Sequence, residues 1–294
     1  MKLALAQLNT TVGDLTGNGA KIRDAYRRAV AAGADLVLTP ELATTGYPPR
    51  DLLAKRRFVD DNLRVLAELA AGVGPVPLVV GYVEVNPQRP GKDYFNAAAF
   101  LQNGGVVERR FKSLLPTYDV FDEDRYFQPA TGNAALAWNG HRLGVTICED
   151  IWNAPDYWPV RLYQRDPVTE LGNLHLLLNL SASPFHLGKE RTRYEMLQAV
   201  ARQHRVPLAY CNLVGGNDEL IFDGNSIVFD AAGNLIAQGA AFQEDLLLVK
   251  LDGAAPAVPR PVDHIASLHD ALVLGLREDR KSTRLNSSHL VISY

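Results

Sequence analysis

Three widely separated residues could do chemistry together: Glu41 in Thr39-Pro40-Glu41, Lys112 in Arg110-Phe111-Lys112, and Cys148 in Val145-Thr146-Ile147-Cys148-Glu149-Asp150. Each falls where an apolar, strand-like run or its flanking segment gives way to polar chain. Together they supply a base, a cation and a thiol, a complete set for attack on an amide carbon. Only a thiolate attacks well, and an ordinary thiol has a pKa of about 8.5. A carboxylate within hydrogen-bond reach must therefore take its proton. Glu41 is the candidate base. Lys112 would face the oxyanion of a tetrahedral intermediate, helped by a backbone N–H after the cysteine. Losing one such donor costs roughly 3–4 kcal/mol of transition-state stabilisation. Each residue also has a plainer reading: Cys148 as inert core, Glu41 as a solvated loop residue, Lys112 as surface. No local motif joins the three.

The elements that must position them follow from periodicity. Leu3–Leu8, Asp35–Thr39, Pro77–Val85, Arg142–Cys148, Leu174–Leu180, Pro207–Leu213 and Asp245–Leu251 are predicted strands. Ala97–Arg110 and Ser226–Gln238 read as hairpins, turning at Asn103-Gly104-Gly105 and Ala231-Ala232-Gly233-Asn234. Asn18–Ala32 is a predicted helix with Ile22, Ala25, Ala29 and Val30 on its inner face; Val59–Ala71 and Lys189–Gln203 are helices by the same rule. Near-continuous apolar strands such as Leu174–Leu180 require cover on both faces. Alternating strands and helices interrupted by hairpins give an α/β fold with mixed sheets. No internal repeat is visible in the residues.

The chain has 294 residues, 47% of them hydrophobic, and a net charge of −3, so a sizeable core is available and no basic field favours nucleic acid or an anionic membrane. The start is too short and too quickly polar for a signal peptide, and no apolar run reaches spanning length. Cys148 and Cys211 are the only cysteines, so there is no disulfide framework, and a cytoplasmic location is the default expectation. His175, His186 and His204 lack metal-ligand spacing; His204 reads as a helix-end residue and Cys211 as core. Gly215-Gly216-Asn217-Asp218 is open between an ordinary turn and a gate.

The far end divides further. Gly253–Val262, with Pro256, Pro259 and Pro261, reads as part of a linker over residues 253–264, and residues 265–277 begin another helix. From Asp279 the chain reads Asp-Arg-Lys-Ser-Thr-Arg-Leu-Asn-Ser-Ser-His-Leu-Val-Ile-Ser-Tyr. It resembles the conceptual translation of a sequencing-library adapter. Residues 279–294 are therefore expected to be an artefact, and the natural reading frame is expected to run on past Arg277.

The words around the three residues resemble the nitrilase superfamily of carbon–nitrogen hydrolases, and within it the glutaminase domains of glutamine-dependent NAD synthetases. The resemblance covers essentially residues 1–277. It is carried by Ala6-Gln7-Leu8-Asn9 through Asn18, by Pro40-Glu41-Leu42 with Gly46-Tyr47-Pro48-Pro49-Arg50-Asp51-Leu52-Leu53, by Lys112 with Phe121-Asp122-Glu123-Asp124-Arg125-Tyr126-Phe127, by Cys148-Glu149-Asp150-Ile151-Trp152, and by Asn179-Leu180-Ser181-Ala182-Ser183-Pro184-Phe185. The Gly46–Leu53 and Cys148–Trp152 runs are the specific ones.

The resemblance implies a four-layer α-β-β-α sandwich of two mixed sheets over residues 1–252. It also implies a Glu41–Lys112–Cys148 triad acting through a γ-glutamyl thioester, and glutamine bound by Tyr118, Ser183 and Lys189. Glu123 is a candidate for an extra carboxylate that orients Lys112; a solvated acidic loop with Asp122 and Asp124 is the alternative. The family needs no cofactor in this domain. It passes ammonia by an internal tunnel to a C-terminal synthetase domain that uses ATP and Mg, a domain absent from these residues, and its members form homo-oligomers. A stand-alone nitrilase-type amidase or carbamoylase on another small amide is the alternative enzyme, and a non-catalytic subunit keeping only the fold is the third possibility.

Overall fold

The computed structural model describes residues 1–253 and 255–286, with side chains as far as residue 279. In the first half, β1 (Lys2–Gln7), β2 (Leu36–Leu38) and β3 (Leu78–Val85) run parallel, joined through α1 (Leu15–Ala31) and α2 (Arg56–Ala71). The hairpin of β4 (Tyr94–Gln102) and β5 (Gly105–Phe111) continues that sheet antiparallel. In the second half, β6 (Leu136–Trp138) pairs with β7 (His141–Ile147). Then β7, β8 (Leu176–Ser181) and β9 (Leu208–Asn212) run parallel, joined through α3 (Pro167–Glu170) and α4 (Lys189–His204). A two-stranded ribbon follows, β10 (Val214–Asn217) and β11 (Leu220–Asp223), then β12 (Ile227–Phe229), β13 (Leu235–Gln238), β14 (Asp245–Lys250) and α5 (His264–Asn286).

The sheet orders are β14-β1-β2-β3-β4-β5 and β6-β7-β8-β9-β12-β13. Each has one antiparallel edge strand, three parallel strands with helical crossovers, and an antiparallel hairpin. The chain thus repeats one architectural plan that its residues do not reveal. A buried strand asks only for apolar bulk, so the plan persists without residue identity.

The sheets face one another through Leu3, Leu5, Leu36, Leu38, Val79 and Phe100 on one side and Leu143, Val145, Ile147, Leu176, Leu178 and Leu180 on the other. The outer face of the first sheet is covered by α1 and α2 through Ile22, Ala25, Tyr26, Ala29, Leu66 and Leu69. The second sheet is covered by α4 through Met196, Leu197, Val200 and Ala201. The result is the expected α-β-β-α sandwich. On α1, Asp14 caps the start by accepting from the Gly17 N–H at 2.9 Å. Val30 is 39% exposed, against expectation. The buried stripe runs Ile22, Ala25, Tyr26, Ala29, and Val30 lies one residue around the helix from it.

One further expectation changes. Residues 215–218 are not a simple turn: Gly215, Gly216 and Asn217 pair with Phe222, Ile221 and Leu220 across the β10–β11 ribbon. The 253–264 segment, described apart from residue 254, lies along the edge of β13. There the Ala257 N–H donates to the Leu235 carbonyl at 2.7 Å and the Arg260 N–H to the Gln238 side chain at 3.1 Å. The α5 helix packs on the ribbon through Ala271 and Leu274. It runs unbroken through residues 279–286, and residues 287–294 lie outside the described part. Among the described residues no helix is long and apolar enough to cross a membrane.

The parallel strands end at one edge, and there the chain is held tightly. Gly81 on β3 lies under the Pro40–Leu42 loop: a Cβ there would stand 2.4 Å from the Pro40 carbonyl oxygen and 2.5 Å from the Leu42 nitrogen. Both contacts are with backbone, which cannot swing away. Gly81→Ala is therefore expected to push the Glu41 loop off its strand. The stability loss should be about 1–3 kcal/mol in urea unfolding, with a disproportionate loss of any activity that uses Glu41.

Candidate active site

Glu41 follows β2, where Pro40, lacking an N–H, helps end the strand. Lys112 follows β5, and Cys148 follows β7 as the first residue of a 3₁₀ turn, Cys148–Ile151. The structure brings all three to one point between the sheets. Glu41 and Lys112 are fully buried and Cys148 is 4% exposed. The Lys112 ammonium donates to Glu41 Oε1 at 2.7 Å and to Glu123 Oε1 at 2.7 Å. Glu123 is itself buried and accepts from the Tyr47 hydroxyl at 2.8 Å. It is thus separated from its neighbours Asp122 and Asp124, which are solvated.

Glu41 is oriented by three donors. Oε1 receives Asn96 Nδ2 at 2.7 Å as well as Lys112, and Oε2 receives the Ala182 N–H at 3.0 Å. A carboxylate oxygen has two lone pairs. Oε1 is therefore filled, and Oε2 keeps room for one more proton. The register explains the Ala182 contact: Ile147 lies opposite Leu180, so the residues after β8 pass beside Cys148 and reach across to Glu41.

The charges act as follows. Burial pulls the Lys112 pKa down, but Glu123 and Glu41 outweigh it and hold it well above the ordinary lysine value. Burial, then Glu41, raise the Cys148 thiol well above its ordinary value, against the pull of Lys112. The thiol therefore rests protonated, and attack requires a base in place. Glu41 is the strongest charge acting on it. Burial also raises Glu123, with Lys112 opposing.

Cys148 has φ +42° and Leu42, beside Glu41, has φ +46°. Both sit in the left-handed region, which costs a non-glycine residue about 1–3 kcal/mol unless the surroundings impose it. At Cys148 they do. The buried Asp150 carboxylate accepts from the Ile147 N–H at 3.0 Å and from the Ser113 and Leu114 N–H groups, each at 2.9 Å. One side chain thereby ties the chain before the thiol to the chain after Lys112. Burial pushes its carboxyl up to about 7, against those three donors.

A cavity of about 480 Å³ opens on the thiol, and Tyr118, Ser183 and Lys189 all line it with Cys148. Sequence reasoning missed Glu149, which also lines it. Its carboxylate accepts from the Tyr118 hydroxyl at 2.8 Å and the Tyr163 hydroxyl at 3.1 Å. Lys189 starts α4 with its ammonium 5.5 Å from the centre of the Trp152 ring. Among the described residues it has no ion-pair partner. Burial, then Arg193, lowers its pKa. The cavity thus has a thiol at one point and an unpaired cation and a carboxylate elsewhere on its wall. Asn96 and Tyr47 were also missed. Asn96 gave a usable signal, a polar residue inside the apolar run Tyr94–Gln102; Tyr47 lay within the specific Gly46–Leu53 run without a role.

His204 closes α4 as expected, although burial lowers its pKa rather than holding it charged. Cys211 is core, its thiol donating to the Ala6 and Leu38 carbonyls.

Fold and site define an amidohydrolase of the α-β-β-α sandwich class. Residues 2–259 match the carbon–nitrogen hydrolase family, and the chain belongs to that family. Among its relatives, the glutamine-dependent NAD(+) synthetase of Synechocystis sp. is 42% identical across 93% of this chain and 51% of its own length. The synthetase of Thermotoga maritima is 41% identical across 86% and 42%. The chain thus spans about half the length of the curated relatives it matches. The glutamine-dependent NAD+ synthetase of Acinetobacter baumannii, solved with ADP, superposes with a TM-score of 0.83 at 33% identity, over 95% of this chain and 52% of that one. An amidase from Nesterenkonia superposes at 0.71 with 28% identity, over 86% and 91%.

Replacing Lys112 leaves two buried carboxylates facing one another without their cation. Lys112→Met is expected to cost about 3–5 kcal/mol, the usual loss when one partner of a buried charge pair is removed. A urea midpoint unchanged from wild type would show that the cluster is not charged as described.

Proposed function

We propose that this chain hydrolyses glutamine to glutamate and ammonia through a thioester on Cys148. The observation that carries the reading is the pairing, in one cavity, of the thiol with an ammonium that has no ion-pair partner among the described residues and a hydroxyl-bonded carboxylate. An amino acid has the complementary charges. Lys189 and Ser183 would take the α-carboxylate, Glu149 and Tyr118 the α-ammonium end, and the side-chain amide would lie at Cys148.

The reaction runs from these positions. Glu41 Oε2 accepts the thiol proton as sulfur bonds to the amide carbon. The carbonyl electrons move onto oxygen, which Lys112 and the backbone N–H after Cys148 stabilise. Glu41 returns the proton to the leaving nitrogen, ammonia departs, and the thioester remains. Water, deprotonated by Glu41, attacks the thioester and releases glutamate, and the proton returns to sulfur.

The relatives' names, glutamine-dependent NAD(+) synthetases, support a wider reading in which the ammonia supplies an amidation forming NAD in a synthetase segment that follows in the same protein; a requirement of that segment for ATP and Mg is part of the proposal. Residues 1–252 would be the glutaminase unit, 253–264 the connection and 265–277 the start of that segment, with 279–294 foreign to it. Assembly into homo-oligomers and a cytoplasmic location belong to the same proposal. The Nesterenkonia likeness, which spans nearly all of that amidase, favours a second reading: a free-standing amidase for another small amide. Lys189, without an ion-pair partner among the described residues, and Glu149 in the same cavity speak for an amino-acid substrate over a neutral one.

Cys148→Ala is expected to abolish glutamate release, and glutamine should protect wild-type Cys148 from alkylation; full inactivation through Cys211 alone would contradict the assignment. A second test concerns pH. Only the charged form of Lys189 pairs with a carboxylate, and its pKa is lowered from the ordinary 10.5. The KM for glutamine should therefore climb as pH rises through a value below 10.5. Lys189→Arg, which stays charged, should reduce that climb to the part left by the substrate's own α-ammonium. A climb as large in the arginine variant as in wild type would place the titration elsewhere.

A further inference from the structure

The two groups assigned to the α-carboxylate come from different elements, Ser183 from the turn after β8 and Lys189 from the start of α4. Something must hold them in register. One turn behind Lys189 on the same helix face, Arg193 is 1% exposed and forms a two-pronged ion pair with Asp223, Nη1–Oδ1 3.0 Å and Nη2–Oδ2 2.5 Å. Asp223 ends β11 and is equally buried. It also accepts from Asn225 Nδ2 at 2.9 Å and from Asn212 Nδ2 at 3.4 Å. Asn212 in turn accepts the Ser183 N–H on its Oδ1 at 2.9 Å. The same turn is laced to β11 a second time, by the Phe185 N–H donating to the Ile221 carbonyl at 2.6 Å. Neither Arg193 nor Asp223 lines the cavity.

Stability does not account for this arrangement. Desolvating two charges roughly offsets their attraction, and well-packed apolar residues commonly serve as well. Arg193 also keeps a buried Nε with no partner, a cost an apolar side chain would not bear. What the pair supplies is geometry: a planar fork fixes the angle of α4 against β11, and Asn212 carries that reference to Ser183. Resting on the glutamine reading above, we propose that Arg193 and Asp223 are positioning residues for the amino-acid end of the cavity. They hold Lys189 and Ser183 at one spacing without touching substrate.

The test compares wild type, Asp223→Asn and the apolar pair Arg193→Met with Asp223→Leu, the last chosen to keep the fold while removing the fork. Steady-state glutamine hydrolysis is measured beside the rate of Cys148 alkylation by iodoacetamide, which has no α-carboxylate to place. The expected result is a KM for glutamine raised at least tenfold in both variants, with kcat within about threefold and the alkylation rate unchanged. A KM equal to wild type in either folded variant would overturn the proposal. So would kcat and the alkylation rate falling as KM rises, the pattern of a merely structural pair. If wild type itself releases no glutamate from glutamine while iodoacetamide still modifies Cys148, the glutamine reading fails first and this proposal goes with it.

Discussion

The structure depends on one buried knot of charge: a lysine ammonium between two carboxylates, all cut off from water. Taking each ion out of water costs several kcal/mol even after relaxation. The knot persists because every member is bonded. Lys112 has Glu41 and Glu123, Glu41 has Asn96 and the Ala182 N–H, and Glu123 has Tyr47. One cation for two anions leaves the group electron-rich. That keeps the ammonium charged, and it adds to burial, the larger cause, in raising Glu123 and the nearby thiol. The site at rest is therefore quiet, with a reactive sulfur that has no negative charge until a proton is taken from it in place.

That quiet state requires positions fixed more tightly than loops usually allow, and the fold supplies them by repetition. In each sheet the parallel strands deliver their ends to the same edge. The first sheet contributes Glu41 and the second Cys148. Where the chain leaves those strands it is forced into left-handed backbone, at Leu42 and at Cys148. Local packing overrides the strain: Gly81 leaves room beneath Glu41, and Asp150 gathers three N–H groups beside Cys148. Asp150 is as much a part of the site as the residues that react, although it faces no substrate.

Much of this was legible in the residues. The apolar runs within Asp35–Thr39 and Leu174–Leu180 read as buried strands, and the polar Asn179 among them is bonded, accepting from the Ser181 hydroxyl. Helices α1, α2 and α4 follow from their apolar spacing. The candidate residues were legible as types at strand ends, but their convergence was visible only through resemblance. Nothing in the spacing of positions 41, 112 and 148 says that two sheets face each other. What stayed hidden was whatever depends on a distant partner. Asn96 fell just outside the expected hairpin, and its role shows only once Glu41 accepts its Nδ2. Glu149 is only a member of the Cys148–Trp152 run until the hydroxyls of Tyr118 and Tyr163 converge on it. The β10–β11 ribbon reads as a turn, because glycines that permit tight loops also permit a narrow ribbon under a helix.

The site thus has two ends built on different principles. The reacting end is closed and assembled from the ends of strands in both sheets. The other end is assembled from a turn, a helix start and partly exposed aromatic side chains, of which Tyr118 is 43% exposed. Its cation, unlike Lys112, has an aromatic ring for a neighbour and, among the described residues, no carboxylate in ion-pair contact. The contrast has a physical cause. A charge that must keep one position through a reaction is stabilised by permanent partners, whereas a charge that must bind and release an anion has to be left incompletely satisfied. Lys112 belongs to the first kind and Lys189 to the second. The lowered pKa of Lys189 follows from that partial desolvation, since a partner supplied only by the ligand cannot stabilise the empty site.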